Sequence, residues 1–277
     1  MNTAARIHSI LNACRLDEAL TGMSSFKLSE LKLEKGLEFS LPTNLRLGHL
    51  AEKIVSELIA RSSTYNVLYE NIQLVEDKTT IGEIDFILES TLAKKPSIKQ
   101  IIHVELAYKF YLYDPNLSSE PLNNWIGPNR NDSLKEKLDK LKQKQLPLFY
   151  HNCAKERFSD IVIEEASQAV CLLVSLYIPY KLEVNSIPNY KHAVKGFYLN
   201  LETFYQLDNP GRLYHLPTKN EWGIKPSENQ VWEKVEMVES RIRKSVEEKQ
   251  APLCWVKDEG SPLIYSEIFI VWWEWGK

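Results

Sequence analysis

Residues 82–88 read G-E-I-D-F-I-L, and residues 102–110 read I-H-V-E-L-A-Y-K-F. Both stretches alternate polar and apolar residues, which is typical of strands that bury one face. Because side chains two positions apart lie on the same side of a strand, Glu83 and Asp85 share one side. The same side of the second strand carries His103, Glu105, Ala107 and Lys109. If the two strands pair in antiparallel orientation, Asp85 and Glu105 converge on one face of the sheet.

Two converging carboxylates with an ammonium group nearby predict a site for a divalent cation. Mg²⁺ prefers a few hard oxygen ligands and keeps several of its waters. Such a cation polarises a phosphate and lowers the pKa of a bound water, and Lys109 would orient the nucleophile or stabilise negative charge. The alternative is a solvated sheet face of strand carboxylates and lysines. Helices predicted before and after these strands favour a covered face, where charges need a reason to be present.

The elements before and between these strands have clear sequence signals. A helix is predicted over 45–62, because its apolar residues recur at helical spacing, and Asn44 is its predicted N-cap. Three strands are predicted next, over 66–76, 80–89 and 100–113. The stretch 90–99, which contains Pro96, suits a hairpin loop.

The elements after these strands complete a characteristic order. The polar stretch 114–131 is predicted as a loop. A helix follows over 132–145, with Asp132 as its N-cap and Pro147 as its stop. The apolar run 168–178 is predicted as a fully buried strand. The resulting order is helix, strand, strand, strand, helix, strand.

The C-terminal third adds further α/β elements to this core. They are predicted as a strand at 195–201, a helix at about 227–249 and strands near Cys254 and Ile268. Because no linker-like change of composition interrupts the chain, we expect one elaborated α/β domain over 1–277. Its core would span about 45–180, and its C-terminal extension about 181–277.

Composition and charge limit the classes of function. The chain has 277 residues, of which 44% are hydrophobic and 26% charged, as in ordinary soluble globular proteins. A net charge of -3 excludes a global basic field that would draw it to nucleic acid or an anionic membrane.

Four dispersed cysteines without CxxC spacing indicate neither a disulfide framework nor a zinc site. The first 20 residues lack a signal-peptide pattern, and the most apolar run, 169–180, is too short to span a bilayer. We therefore expect a cytoplasmic protein without a membrane partner.

The strings G-E-I-D-F-I and H-V-E-L-A-Y-K, in this element order, resemble the PD-(D/E)XK nuclease superfamily. The active site of that superfamily reads Asp, then Glu-x-Lys on the next strand, within a restriction-endonuclease-like core. More narrowly, R-L-G-H-L-A-E, G-P-N-R-N-D-S-L and K-Q-L-P-L resemble a bacterial family named domain of unknown function 1853. This resemblance spans about 45–148 most closely.

The resemblance implies roles for individual residues. It assigns metal binding, to Mg²⁺ or Mn²⁺, to Asp85 and Glu105, and it matches Glu52 to a helical acidic position that some members use. A surface helix Glu is the alternative for Glu52. The sequence departs from the pattern at Ala107, which occupies the usual lysine position. Lys109 lies two residues further on the same face, and the resemblance then implies that its ammonium group reaches back to the site.

Several other side chains are candidates for substrate binding. Superfamily members place basic or Gln residues on the helix over 132–145, which makes Gln143 and Gln145 candidates, whereas most lysines of this helix suit a solvated face. Arg130 precedes the start of this helix, where anions are favoured. His103 is either a phosphate contact or a hydrogen-bonded structural residue.

Aromatic side chains offer a second kind of contact with nucleic acid, since bases stack on aromatic rings. Core packing is the general alternative for a Trp. Trp125, in a polar loop expected beside the active face, is the best candidate for stacking. The other tryptophans considered are Trp222, Trp272, Trp273 and Trp275.

Two classes of function follow from these observations. The first is a Mg²⁺-dependent nuclease that hydrolyses nucleic acid, DNA more than RNA, with Asp85 and Glu105 holding the metal and Lys109 near the scissile phosphate. The second is a catalytically degenerate module on the same fold that binds nucleic acid or protein. The displaced lysine and the acidic net charge favour the second class, and the aromatic C-terminus leaves a protein-interaction role open.

Overall fold

The computed structural model describes residues 2–91, 100–260 and 262–274, and the chain folds as a mixed α/β protein. The predicted loop around Pro96 and the candidate Trp275 lie outside the described residues. The described strands are β1 (Cys14–Arg15), β2 (Tyr65–Glu76), β3 (Thr79–Ser90), β4 (Gln100–Tyr113), β5 (Trp125–Ile126), β6 (Ser167–Pro179), β7 (Val194–Asn200), β8 (Arg212–His215), β9 (Leu253–Asp258) and β10 (Ile264–Val271). The described α-helices are α1 (Thr3–Leu11), α2 (Glu18–Thr21), α3 (Leu47–Ala60), α4 (Leu134–Lys140), α5 (Leu146–Leu148), α6 (Asn152–Arg157), α7 (Leu201–Gln206) and α8 (Val235–Glu247).

The described residues divide into two compact units. The central unit comprises Ile10–Tyr108 and Lys137–Leu173, and the C-terminal unit comprises Met1–Ser9, Lys109–Glu136 and Val174–Lys277, in each case as far as the structure describes them. The strands β4 and β6 contribute residues to both units. The expectation of one elaborated domain over 1–277 stays a prediction, because a compact unit is not necessarily a separately folding domain.

The central unit is built on an antiparallel pairing of β2 with β3 and of β3 with β4. Helix α3 buries one apolar face, formed by Leu50, Ala51, Ile54, Val55, Leu58 and Ile59. The strand β6 is the neighbour of β4, and Ser167 Oγ donates a hydrogen bond to the carbonyl oxygen of Ile101 over 3.2 Å. The chain order α3, β2, β3, β4, α4, β6 confirms the predicted order of elements, with β5, α5 and α6 as additions.

The C-terminal unit contains a mixed arrangement of strands. The strand β10 pairs in parallel with β7 and in antiparallel orientation with β9, and β9 pairs with β8. Helix α8 contributes Val238 and Ile242 to a hydrophobic cluster with Phe204 and Tyr214. The predicted strands at 195–201, Cys254 and Ile268 are confirmed, whereas the predicted helix at about 227–249 is shorter and spans Val235–Glu247.

The helix boundaries differ from several predictions. The N-cap of α3 is Arg46 rather than Asn44, and no side chain caps it. Helix α4 begins at Leu134, where Ser133 Oγ accepts a hydrogen bond from the backbone N–H of Glu136 over 3.2 Å. Pro147 does not end the helical segment but lies in the short helix α5, a position compatible with its missing N–H.

None of the helices in the described part of the chain combines the length and the apolar character that a membrane crossing requires.

Candidate dicarboxylate site

Asp85 and Glu105 lie on adjacent, antiparallel strands of the central unit. The paired residues of these strands end at Phe86 and Val104, and Asp85 and Glu105 are their direct neighbours in the two strands. Asp85 is 8% exposed and Glu105 is fully buried. Asp85 Oδ2 accepts a hydrogen bond from the backbone N–H of Leu106 over 2.7 Å, which ties its carboxylate to β4. The predicted antiparallel pairing of these strands is confirmed.

Burial makes both carboxylic acids harder to ionise. Loss of water is the largest cause of the raised pKa of Asp85, and the negative charges of Glu105 and Glu52 raise it further. Loss of water also raises the pKa of Glu105, while the positive charge of Lys137 opposes that increase. Ionising both carboxylates therefore costs free energy unless a positive charge compensates them.

His103 supports Glu105 as a neutral hydrogen-bond donor. Its ring is fully buried, and burial lowers its pKa to about 4. Gln168 Nε2 lies 2.7 Å from the carbonyl oxygen of Leu146 and 2.9 Å from His103 Nδ1. Because an amide nitrogen only donates, Nδ1 is the acceptor and the proton of the neutral ring is on Nε2. That N–H donates to Glu105 Oε1 over 2.9 Å and fixes the orientation of the carboxylate.

The other oxygen of Glu105 is held from the helical segment that follows α4. Gln145 Nε2 donates to Glu105 Oε2, and Gln145 Oε1 accepts a hydrogen bond from Lys137 Nζ over 2.9 Å. Gln145 is the last residue of a π-helical turn, Leu141–Gln145, which follows the helix that carries Lys137. Such turns occur frequently at functional sites. The result is an ammonium group that is connected to Glu105 through one side-chain amide.

Two further acids surround the buried pair. Glu52, on α3, is 21% exposed, and its Oε2 lies 3.0 Å from His49 Nδ1. This hydrogen bond is the main cause of the raised pKa of His49. The charge of Glu83, two residues before Asp85, raises the pKa of Glu105. Glu52 and Glu83 thus add negative charge around the pair, and the metal-ligand role of Glu52 stays a prediction.

Lys109 belongs to the C-terminal unit, where it has a different partner from the one predicted. Its Nζ lies 2.8 Å from Asp132 Oδ2, and the two side chains are 36% and 43% exposed. Its role beside a phosphate stays a prediction. Within the central unit, the positive charge of Lys137 acts on Glu105. Lys137 belongs to the helix for which a solvated face was predicted for most lysines.

The prediction that the ring of Trp125 stacks on bases is wrong. This ring is fully buried, and its centroid lies 4.8 Å from that of Tyr113 and 5.1 Å from that of Tyr190. The physical reason is that the predicted loop contains the strand β5, in which Trp125 pairs with Tyr113 of β4. The ring therefore contributes to a core and cannot contact a nucleic acid.

The remaining candidates lie on surfaces or in aromatic clusters. The Arg130 guanidinium lies 3.6 Å from Asp114 Oδ2 and 5.1 Å from the centre of the Trp273 ring. Gln143 is exposed on the π-helical turn. Trp222 is buried, and Trp272 and Trp273 form an edge-to-face pair with centroids 4.5 Å apart. Substrate-binding roles for Arg130 and Gln143 stay predictions.

Sequence reasoning missed two residues of the site, Lys137 and Gln168. A signal for Lys137 existed, because it lies beside the apolar residues Leu134, Leu138 and Leu141 at the edge of the buried stripe of its helix. No local signal identified Gln168. Its role depends on β6 lying next to β4, which the sequence around residue 168 does not encode by itself.

These contacts define a class of site. The buried carboxylate of Glu105 is oriented by the neutral imidazole of His103 and by the amide of Gln145, to which the ammonium group of Lys137 is attached. The buried carboxylate of Asp85, on the adjacent strand, is held by the N–H of Leu106. Carboxylate oxygens are the ligands that Mg²⁺ and Mn²⁺ prefer, and an ammonium group beside them suits an anionic substrate such as a phosphate. The protein is therefore an α/β protein with a buried dicarboxylate site.

Comparison with protein families places the chain more narrowly. The family model described as "Domain of unknown function (DUF1853)" matches residues 4–271, and the chain belongs to this family. The resemblance at the level of this family is thus confirmed. The comparisons with curated proteins and with solved structures gave no match.

Proposed function

We propose that this protein is a cytoplasmic, Mg²⁺- or Mn²⁺-dependent nuclease of the PD-(D/E)XK type that hydrolyses nucleic acid, DNA more than RNA. The observation that carries the proposal is the buried pair Asp85 and Glu105 on the adjacent strands β3 and β4, where the N–H of Leu106 holds the Asp85 carboxylate. The string G-E-I-D and the chain order α3, β2, β3, β4, α4, β6 support the superfamily assignment. The restriction-endonuclease-like core is part of the same proposal.

A divalent cation fits the donor set of this site. Asp85 and Glu105 would hold the ion through hard oxygen ligands, and Glu52 would assist from α3. When bound, the ion supplies Lewis acidity toward the phosphate and a water of lowered pKa. Its charge would compensate the two carboxylates, whose ionised forms burial disfavours. The site must lose protons before it binds the ion, so protons and metal compete for it.

The surrounding side chains would orient the two ligands and the substrate. The N–H of His103 and the amide of Gln145 fix the Glu105 carboxylate from two directions, which lowers the cost of ordering it on metal binding. Lys137, held by Gln145, would supply the positive charge that stabilises negative charge developing on the phosphate. It would take over the role for which the superfamily uses the position of Ala107.

Cleavage assays with the purified full chain test this proposal. We expect cleavage of DNA in Mg²⁺ or Mn²⁺ and a loss of at least about 10³-fold in Asp85→Asn and Glu105→Gln, because several kcal/mol of charge stabilisation is removed. Asp77→Asn, an exposed carboxylate in the hairpin turn before β3, is the matched control and should retain activity. A wild-type protein that cleaves neither DNA nor RNA and binds neither metal would contradict the proposal.

A specific observation supports a second candidate function, a degenerate binding module. The usual lysine position is Ala107, and Lys109 is in an ion pair with Asp132. Such a module would bind nucleic acid in a salt-dependent way, and its affinity would persist in the double variant Asp85→Asn, Glu105→Gln. Binding without cleavage at any metal concentration favours this candidate. Binding only to protein would favour an interaction role.

A further inference from the structure

A second cluster of metal-ligating side chains in the central unit lies outside the dicarboxylate site. Glu76, His151 and Cys153 offer an oxygen, a nitrogen and a sulfur atom that all lie within 4.8 Å of one another. His151 Nε2 and Cys153 Sγ each lie 3.8 Å from the same oxygen, Glu76 Oε1. We propose that these three side chains form a binding site for a transition-metal ion of the Zn²⁺ class.

The donor set selects this class of metal. Thiolate and imidazole are ligands of Zn²⁺ and similar borderline ions, whereas Mg²⁺ prefers oxygen alone. In a tetrahedral zinc site, the bond lengths of these donors place ligand atoms roughly 3.3–3.6 Å apart. The distances of 3.8 Å from Glu76 Oε1 are therefore a few tenths of an ångström longer than a bound ion requires. All three ligand atoms lie within 4.8 Å of one another, so binding of the ion would draw these side chains closer together.

The backbone that carries the ligands is already in place. Glu76 is the last residue of β2, and His151 is the N-cap of α6, with the cysteine two residues later. Leu74 of β2 packs in one hydrophobic cluster with Ala154, which lies on α6, and with Phe158, which directly follows α6. Because this core fixes the strand against the helix, metal binding would need little ordering of the chain.

The cluster is accessible from solvent. The side chains of Glu76 and His151 are 49% and 38% exposed, and Cys153 is half-buried. Three protein ligands leave a fourth position for water, as in zinc sites that are not purely structural. In the structure, His151 Nδ1 accepts a hydrogen bond from the Cys153 N–H over 3.4 Å. Metal binding at Nε2 would place the ring proton on Nδ1, so this hydrogen bond would be lost. At this length the hydrogen bond is weak.

The cysteine spacing by itself did not indicate this site. His151 and Cys153 are separated by one residue, but their partner Glu76 lies 77 positions before the cysteine in the sequence. Only the packing of α6 against β2 brings the third ligand to them.

Titration of the full chain with Co²⁺ and then Zn²⁺, in excess Mg²⁺ to occupy the carboxylate pair, tests the inference. We expect one Co²⁺ per chain with thiolate-to-cobalt charge-transfer absorption, and its displacement by Zn²⁺. Cys153→Ser should abolish this absorption, and His151→Ala should weaken Co²⁺ binding at least about 10-fold. Cys14→Ser, which removes another half-buried cysteine, should change neither.

Two further readouts keep the inference falsifiable if a variant is unstable. In the wild type, Zn²⁺ should slow alkylation of Cys153 and raise the melting temperature, because a ligand that binds only the folded state stabilises it. A wild-type protein without thiolate–cobalt absorption, or Zn²⁺ effects that are equal in Cys153→Ser and Cys14→Ser, would overturn the inference. None of these measurements uses cleavage, so their outcome is independent of the proposed nuclease activity.

Discussion

Glu105 and Lys109 of β4 illustrate how burial changes the free energy that is associated with a charged side chain. Glu105 is fully buried and held by His103 and Gln145, whereas Lys109, four residues later, is 36% exposed and paired with Asp132. A buried charge is expensive unless it is compensated, and an exposed ion pair contributes at most about 1 kcal/mol. Sequence position alone would give both residues similar importance. Because of this difference in burial, we expect the loss of Glu105 to cost more activity than the loss of Lys109.

The largest expected effect concerns the two lysines. Lys137→Met should lower kcat about 100-fold or more in the cleavage assay, because it removes the positive charge linked to Glu105. Lys109→Met, the matched control, should change kcat less than about threefold, since its charge is engaged by Asp132. Circular dichroism verifies the fold of both variants. Equal losses in the two variants would remove the distinction between the two charges.

The second effect is stabilisation by metal. At about 100 times its Kd, Mg²⁺ should raise the free energy of unfolding of the wild type by about 2.7 kcal/mol. Asp85→Asn should lose most of this increase, because one ligand is gone. The increase should also fall with decreasing pH, since burial raises the pKa of Asp85 and protons then compete with the ion. Thermal unfolding with and without Mg²⁺ measures it, and a stabilisation that is unchanged in the variant would place the ion elsewhere.

The third effect concerns stability without metal. Asp85→Asn should raise the free energy of unfolding by about 1–2 kcal/mol at about pH 8, because it removes a buried charge and keeps an acceptor for the N–H of Leu106. A raised pKa means that the folded wild type binds this proton more tightly than the unfolded chain does. The protonated Asp85 therefore contributes fully to the stability of the wild type below the pKa of the unfolded chain, about 4. This contribution is lost as the pH rises through the raised pKa of the folded state.

The pH dependence provides the control for this third effect. In urea denaturation with a chelator present, the advantage of Asp85→Asn over the wild type should grow with pH and vanish below about pH 4. An advantage that is independent of pH would show that the charge of Asp85 is not its cause.

The smallest effect is expected at the exposed ion pair. Lys109→Met and Asp132→Asn should each change the free energy of unfolding by less than about 1 kcal/mol, and the double variant should show a coupling energy below this value. Urea denaturation of the two single variants and the double variant measures the coupling. A coupling larger than about 2 kcal/mol would mean that this pair resembles the buried network more than we infer.

The elements with strong local periodicity could be predicted from the sequence. The predicted strand 100–113 coincides with β4, and the predicted helix 45–62 contains α3. Each buries a continuous apolar pattern, which the residues themselves encode. The caps were less predictable. Asn44 is a favourable cap residue, yet α3 begins after Arg46, which caps it with no side-chain hydrogen bond.

The candidate site was predictable only where it follows strand alternation. Asp85 and Glu105 come together because both strands keep a period of two and pair in antiparallel orientation as far as Phe86 and Val104, directly before them. Trp125 was misplaced because β5 is a two-residue strand with no period to detect. Gln168 and Lys137 reach Glu105 through His103 and Gln145, and such chains of contacts depend on long-range packing that no local pattern records.

The π-helical turn Leu141–Gln145 makes the number of residues in this segment critical. Such a turn accommodates one more residue than an α-helical turn, and each residue advances an α-helix by about 100°. Deleting Lys144 would restore a regular α-helix and swing the amide of Gln145 about a quarter of a revolution away from the Glu105 carboxylate. A chain that lacks one residue here would keep an intact helix, but its Glu105 carboxylate would lose the support of Gln145.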